Sequence, residues 1–149
     1  MTAKVNEIKI SYREKTKMAD APQLTSSRDV AALLHQNWDA DTLALKESFK
    51  ILLLNNSNRV KGIYQVSDGG ITGTVVDLRI LFAVVLKTTS TGICLAHNHP
   101  SGNLKPSQPD KQLTQKIKRA AALFDIKVLD HVIIVPNGDY FSFADNGIL

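Results

Sequence analysis

A chain of 149 residues suits one domain with a single sizeable core and leaves no room for several. Its 44% hydrophobic and 21% charged residues, with 8 Gly and 5 Pro, are those of a globular chain and exclude a disordered one. A formal charge of +4, from 18 basic and 14 acidic residues, permits contact with nucleic acid without requiring it. The longest purely apolar run, Ile80 to Leu86, is far too short to span a membrane. The start, MTAKVNEIKISYREK, has no apolar stretch of the secretory kind. Cys94 is the single cysteine, so no intrachain disulfide is possible, and a cytoplasmic setting without a membrane partner is expected.

In chain order, residues 1–24 read as an N-terminal arm. Ile8, Ile10 and Tyr12 alternate with polar residues, which suggests a short edge strand, or a strand that pairs two copies of the chain. Residues 25–149 read as the domain. Ser26 or Ser27 can cap a helix carrying Val30, Leu33, Leu34 and Trp38 at helical spacing, with His35 as a structural residue on it. After Glu47, Phe49 to Leu54 predicts a strand, Asn55 to Asn58 a turn, and Val60 to Val66 the returning strand. Asp68-Gly69-Gly70 and Gly73 make a loop, and Asp77 starts an apolar helix that ends at Lys87.

Gly92 to Ala96 is a short apolar run of the kind a buried central strand shows, and Cys94 within it reads as a small hydrophobe. Residues 108–124 predict an amphipathic helix with Leu113, Ile117, Ala120, Ala121 and Phe124 on one side. Its basic residues Lys111, Lys116, Lys118 and Arg119 read first as a solvated face, with weak DNA binding as the other use. Val128 to Val135, an Asn137-Gly138 turn and Tyr140 to Phe143 complete a hairpin. The expected fold class is α/β, with a mixed central β-sheet flanked by helices.

The stretch LAHNHPSGNLKPSQPD carries the chemistry. His97 and His99 end an extended run, and side chains two apart on such a run share a face, so two imidazoles can meet one ion without strain. Asp110 brings a carboxylate back after the Pro-rich loop. Two histidines, an aspartate and a fourth position left open to water form the pattern of a catalytic zinc site. Each part also has a structural use: a lone histidine is most often a satisfied polar residue, and Ser107-x-x-Asp110 with Pro109 fits a capped helix start. The uses are compatible, because a capped helix end is a rigid platform for a ligand.

The full spacing, His97-x-His99-Pro100-x6-Ser107-x-x-Asp110, resembles the JAMM (JAB, MPN-plus) metallopeptidase motif. Within it, HNHPSG…PS…D followed by VLDHVIIV, with ESFKILLLNNSNRV upstream, resembles the RadC group of bacterial proteins over about residues 25 to 149. The letters His-Asn-His are not an HNH nuclease motif, whose residues are spread along a ββα unit. The chain is too short for the helix-hairpin-helix region usual in RadC proteins, so a short form is expected.

The resemblance implies a JAB/JAMM, cytidine-deaminase-like architecture. It also implies one Zn²⁺ held by His97, His99 and Asp110, Glu47 as the proton acceptor, and Ser107 as a donor to the developing oxyanion. Read without it, Glu47 is a solvated residue at a strand start. The function so implied is zinc-dependent hydrolysis of a peptide or isopeptide bond in a peptide or protein substrate. The alternatives are a DNA-associated accessory protein with a structural or idle metal site, and a partner-binding scaffold, against which the complete ligand set argues. His131, after Asp130 in an apolar strand, reads first as a hydrogen-bonded core histidine and second as a residue behind a ligand. Asn98 and Ser101 read as loop-shaping residues with a substrate contact as the other use.

Overall fold

The computed structural model describes residues 2–71 and 73–149. After a short 3-10 turn at Met18–Asp20, the elements in order are α1 (Ser27–Asn37), β1 (Ser48–Leu54), β2 (Val60–Asp68), α2 (Leu78–Lys87), β3 (Gly92–Asn98), α3 (Gln108–Ala122), β4 (Lys127–Ile134) and β5 (Tyr140–Ser142). The sheet order is β2-β1-β3-β4-β5. β3 and β4 are parallel and the other neighbours antiparallel, so the sheet is mixed, as the α/β reading expects.

Local chemistry sets the element ends. Ser26 accepts from the Asp29 N–H and Asp77 from the Arg79 N–H, each satisfying a donor that an α-helix start leaves free. Asn58 takes the left-handed conformation (φ 56°) in the β1–β2 turn, which a short polar side chain tolerates.

Strand alternation divides the core in two. Leu52, Leu54, Cys94, Ala96, Val132 and Ile134 pack against Val30 and Leu34 of α1 and Trp38 just after it, all three buried. Phe49, Ile51, Leu53, Ile93 and Leu95 face Leu81, Phe82 and Val85 of α2 and Ile117 and Ala121 of α3. β3 lies between these layers, and all seven of its residues are buried. Among the described residues, no helix is long and apolar enough to cross a membrane.

Three expectations are corrected here. Residues 2–14 form no strand within this chain, and Val5, Ile8 and Ile10 stand exposed, because no neighbouring strand supplies partners for their alternation. Phe124 follows the end of α3 and is half exposed beside Phe82, while Thr114 is fully buried on that helix. β2 runs on to Asp68, since Ser48 and Phe49 pair with Asp68 and Ser67 beyond a bulge.

Candidate metal centre

β3 delivers the histidines. His97 lies within the strand, and His99 follows it, with its backbone N–H donating to the Ile134 carbonyl of β4 at 3.0 Å. His97 Nε2 and His99 Nε2 stand 3.0 Å apart. Asp110 Oδ2 lies 3.4 Å from the first and 3.6 Å from the second. Among the described residues, these three form the group of His, Cys, Asp or Glu side chains whose ligand atoms converge.

Asp110 is aimed by the start of α3. Ser107 is the N-cap: its hydroxyl accepts from the Asp110 N–H at 3.1 Å, and its own N–H donates to Asp110 Oδ2 at 2.9 Å. This reciprocal box, with Pro109 in the first turn, fixes the carboxylate relative to the helix. The same oxygen that closes the box faces both histidines.

Each imidazole has its other nitrogen engaged. His99 Nδ1 meets the Asn103 carbonyl at 2.5 Å. His97 Nδ1 meets His131 Nε2 at 2.7 Å, and His131 Nδ1 meets the Thr114 hydroxyl at 2.6 Å. His131 is therefore both a buried core residue and the residue behind His97, stacked on Phe143 and edge-on to Phe49. The Phe49 ring in turn stacks on His97, its cross-strand partner.

Glu47 stands just before β1. Its N–H donates to Gly70 and its carbonyl accepts from Gly69, extending the pairing with β2. Gly69 is required at that position: a Cβ there would lie 2.3 Å from the Gly73 carbonyl oxygen. Asn98, on the opposite side of β3 from the histidines, is fully buried and clamps this segment. It accepts from the Ser48 N–H and donates to the Leu43 and Lys46 carbonyls. The loop-shaping reading of Asn98 thus becomes a specific one, while Ser101 remains an exposed loop residue whose hydroxyl accepts from the Asn103 N–H.

Two open hollows, of about 480 and about 400 Å³, meet at the group and share Glu47, His99 and Ser107. One adds Leu45, Ile71 and Lys105; the other adds Phe49, Val76 and Leu113. Together they make a cleft that passes across the convergent ligand atoms.

Electrostatics follow from burial and proximity. Burial pushes the Glu47 carboxyl above the usual glutamate value, against the opposing charges of His97 and His99. Burial also works against the Asp110 carboxylate, but the His97 and His99 imidazoles beside it outweigh burial and hold the group well below the usual range. Burial pulls the His99 imidazole down, yet its bonds to Asp110 and Asn103 carry the net shift upward. Complete burial holds His131 well below the usual histidine range.

The donor set could hold a metal ion: two imidazole nitrogens and a carboxylate oxygen converge, and the open side faces the cleft. A family model described as RadC-like JAB domain matches residues 24–148. The chain belongs to the RadC-like JAB family. A UPF0758 protein of Flavobacterium johnsoniae is 54% identical over 102 residues, covering 68% of this chain and 44% of that protein. One from Porphyromonas gingivalis is 42% identical over 104 residues, covering 70% and 46%. The matched segment thus spans less than half the length of these relatives. His35 sits on α1, across the sheet from the RadC-like centre.

The spacing of the motif pointed to His97, His99 and Asp110, and the fold brings their ligand atoms together. Asn98 and Thr114 had weaker signals. Asn98 lies between two histidines on a strand and so must face the other way; Thr114 follows Asp110 by four residues, one helical turn on the same face.

Proposed function

We propose that this RadC-like JAB domain hydrolyses an amide bond, peptide or isopeptide, in a peptide or protein substrate, with Zn²⁺ held by His97, His99 and Asp110. One observation carries the reading: three ligand atoms converge beside Glu47 on the floor of a cleft that runs past them on both sides. A purely structural metal site is closed, whereas this one leaves a side open.

When bound, the ion would supply Lewis acidity, polarising the scissile carbonyl and bringing the pKa of water toward neutrality. The residues do the rest. Glu47 accepts a proton from the attacking water and passes it to the leaving nitrogen as the carbon–nitrogen bond breaks. Water thereby supplies its oxygen to the acyl product and its protons to the products. The Ser107 hydroxyl accepts from Asp110 N–H and keeps its own proton for an oxyanion in the cleft. An extended substrate would lie across both hollows, with its scissile bond over Glu47 and His99.

The test is metal analysis of the purified protein together with hydrolysis assays on a peptide and isopeptide library. The reading expects about one zinc per chain, lost in His97→Ala/His99→Ala, and turnover that follows zinc content. A double variant with full zinc content would overturn the site; a zinc-loaded protein inert on every amide would overturn the activity.

A further inference from the structure

Thr114 lies outside the hydrolytic roles, yet it is fully buried on α3, four residues beyond Asp110. Its hydroxyl meets the Asp110 carbonyl oxygen at 2.7 Å and His131 Nδ1 at 2.6 Å. His131 Nε2 meets His97 Nδ1 at 2.7 Å. These contacts join Asp110 to His97 by a second route, separate from their direct approach in the cleft.

We infer that Thr114 and His131 form a positioning relay that fixes His97 as its Nδ1–H tautomer, so that its Nε2 lone pair faces Asp110 and His99 before any ion arrives.

Counting protons gives the direction at each step. A backbone carbonyl only accepts, so the Thr114 hydroxyl spends its single proton on Asp110. That hydroxyl can then only accept from His131, which must carry its proton on Nδ1. The bare His131 Nε2 must accept in turn, and the donor is His97 Nδ1–H. With its one proton on Nδ1, His97 is left with a lone pair on Nε2, which accepts from His99 Nε2 at 3.0 Å and lies 3.4 Å from Asp110 Oδ2. Packing keeps His131 from turning over: its ring is 4.5 Å from Phe143 in a stack and 5.6 Å from Phe49 at an edge.

The relay starts and ends on one residue. Asp110 offers its side chain to the ligand group and its backbone carbonyl to Thr114, so the first turn of α3 sets both a carboxylate and the tautomer of a histidine on another element. The relay is a statement about the metal-free protein; only its use for an ion rests on the proposed function.

The test uses the full chain, metal-free, with ¹⁵N-labelled histidine. Long-range ¹H–¹⁵N correlation spectra distinguish protonated from bare ring nitrogens. Wild type should show His97 and His131 both protonated on Nδ1 alone. Thr114→Val keeps the shape and removes the hydroxyl; His131 and then His97 should lose their single tautomers. Zinc affinity, read by competition with a chromogenic chelator, should fall about 10–100-fold. Thr114→Ser restores a hydroxyl and should recover both readouts. A proton on Nε2 of either ring in wild type overturns the relay, and this holds even if Thr114→Val fails to fold. A folded Thr114→Val protein with unchanged tautomers and affinity overturns it too. Correct tautomers in a wild-type protein that binds no zinc would uphold the relay and remove the metal reading instead.

Discussion

Asn98 Oδ1 accepts a hydrogen bond from the Ser48 backbone N–H at 2.8 Å, and the same amide donates to the carbonyls of Leu43 and Lys46. One side chain thus ties the segment that carries Glu47 to the strand that carries both histidines. Asn98→Leu should cost about 1–3 kcal/mol, because the buried Ser48 N–H is left without a partner. Asn98→Asp keeps that acceptor but turns a carboxylate toward two carbonyl oxygens, and should be the less stable of the two. Urea unfolding of both variants checks the order. Zinc content should survive in whichever variant folds, since neither change touches a ligand.

Glu47→Gln tests the proposed proton acceptor. Zinc content should stay near wild type while turnover falls by about two to four orders of magnitude. Loss of zinc in this variant would make Glu47 a ligand and reopen the place of Asp110.

The same variant carries a pH signature in the metal-free protein. Burial raises the folded-state pKa of Glu47, so the folded chain binds its proton more tightly than the unfolded chain does. Wild type therefore loses stability relative to Glu47→Gln as pH rises from the ordinary glutamate value through the raised one. The glutamine variant should be the more stable at neutral pH, and the gap should vanish once the pH is below the ordinary value. Thermal melts at matched ionic strength, taken across the acid range, give the comparison; a gap that widens toward acid would contradict the shift.

Ser107→Ala separates two roles of one hydroxyl. Losing the cap should cost about 0.5–2 kcal/mol of stability. Losing an oxyanion donor should lower turnover by about 10²–10³. Zinc should remain bound, because the backbone N–H of residue 107 still donates to Asp110 Oδ2. A drop in stability without a drop in turnover would leave Ser107 as a cap alone.

For nucleic acid the expectation is weak binding without sequence preference. If Lys111, Lys116, Lys118 and Arg119 each met one phosphate, log affinity would fall with log salt at a slope of about −3.6. Fluorescence anisotropy on duplex DNA across a salt series measures this; a tight complex well above physiological salt would contradict it.

Spacing made the ligand group legible, because alternation on a strand and a capped helix start are local rules. Glu47 needed the motif, since nothing in its neighbours separates a cleft carboxylate from a solvated one. His131 was ambiguous for a physical reason: a histidine in an apolar strand looks the same whether its nitrogens meet backbone or another imidazole, and only the parallel pairing of β3 with β4 brings it behind His97. Thr114 was hidden among the apolar positions of α3, whose periodicity placed Phe124 on the buried side instead. The arm differs: Ile8 and Ile10 alternate as in a strand, but pairing, within the chain or between two copies, depends on a neighbour that alternation cannot reveal.

Cys94 sits in the middle strand of the five, sealed on both faces, and burial pushes its thiol up to about 12. A folded molecule therefore presents no thiolate to an alkylating reagent, and the sheet must part before the sulfur can react. With no second cysteine to blur the signal, the rate of thiol labelling becomes a clock for the opening of β3. Run with and without zinc, that clock would report how firmly an ion at the end of the strand holds its centre closed.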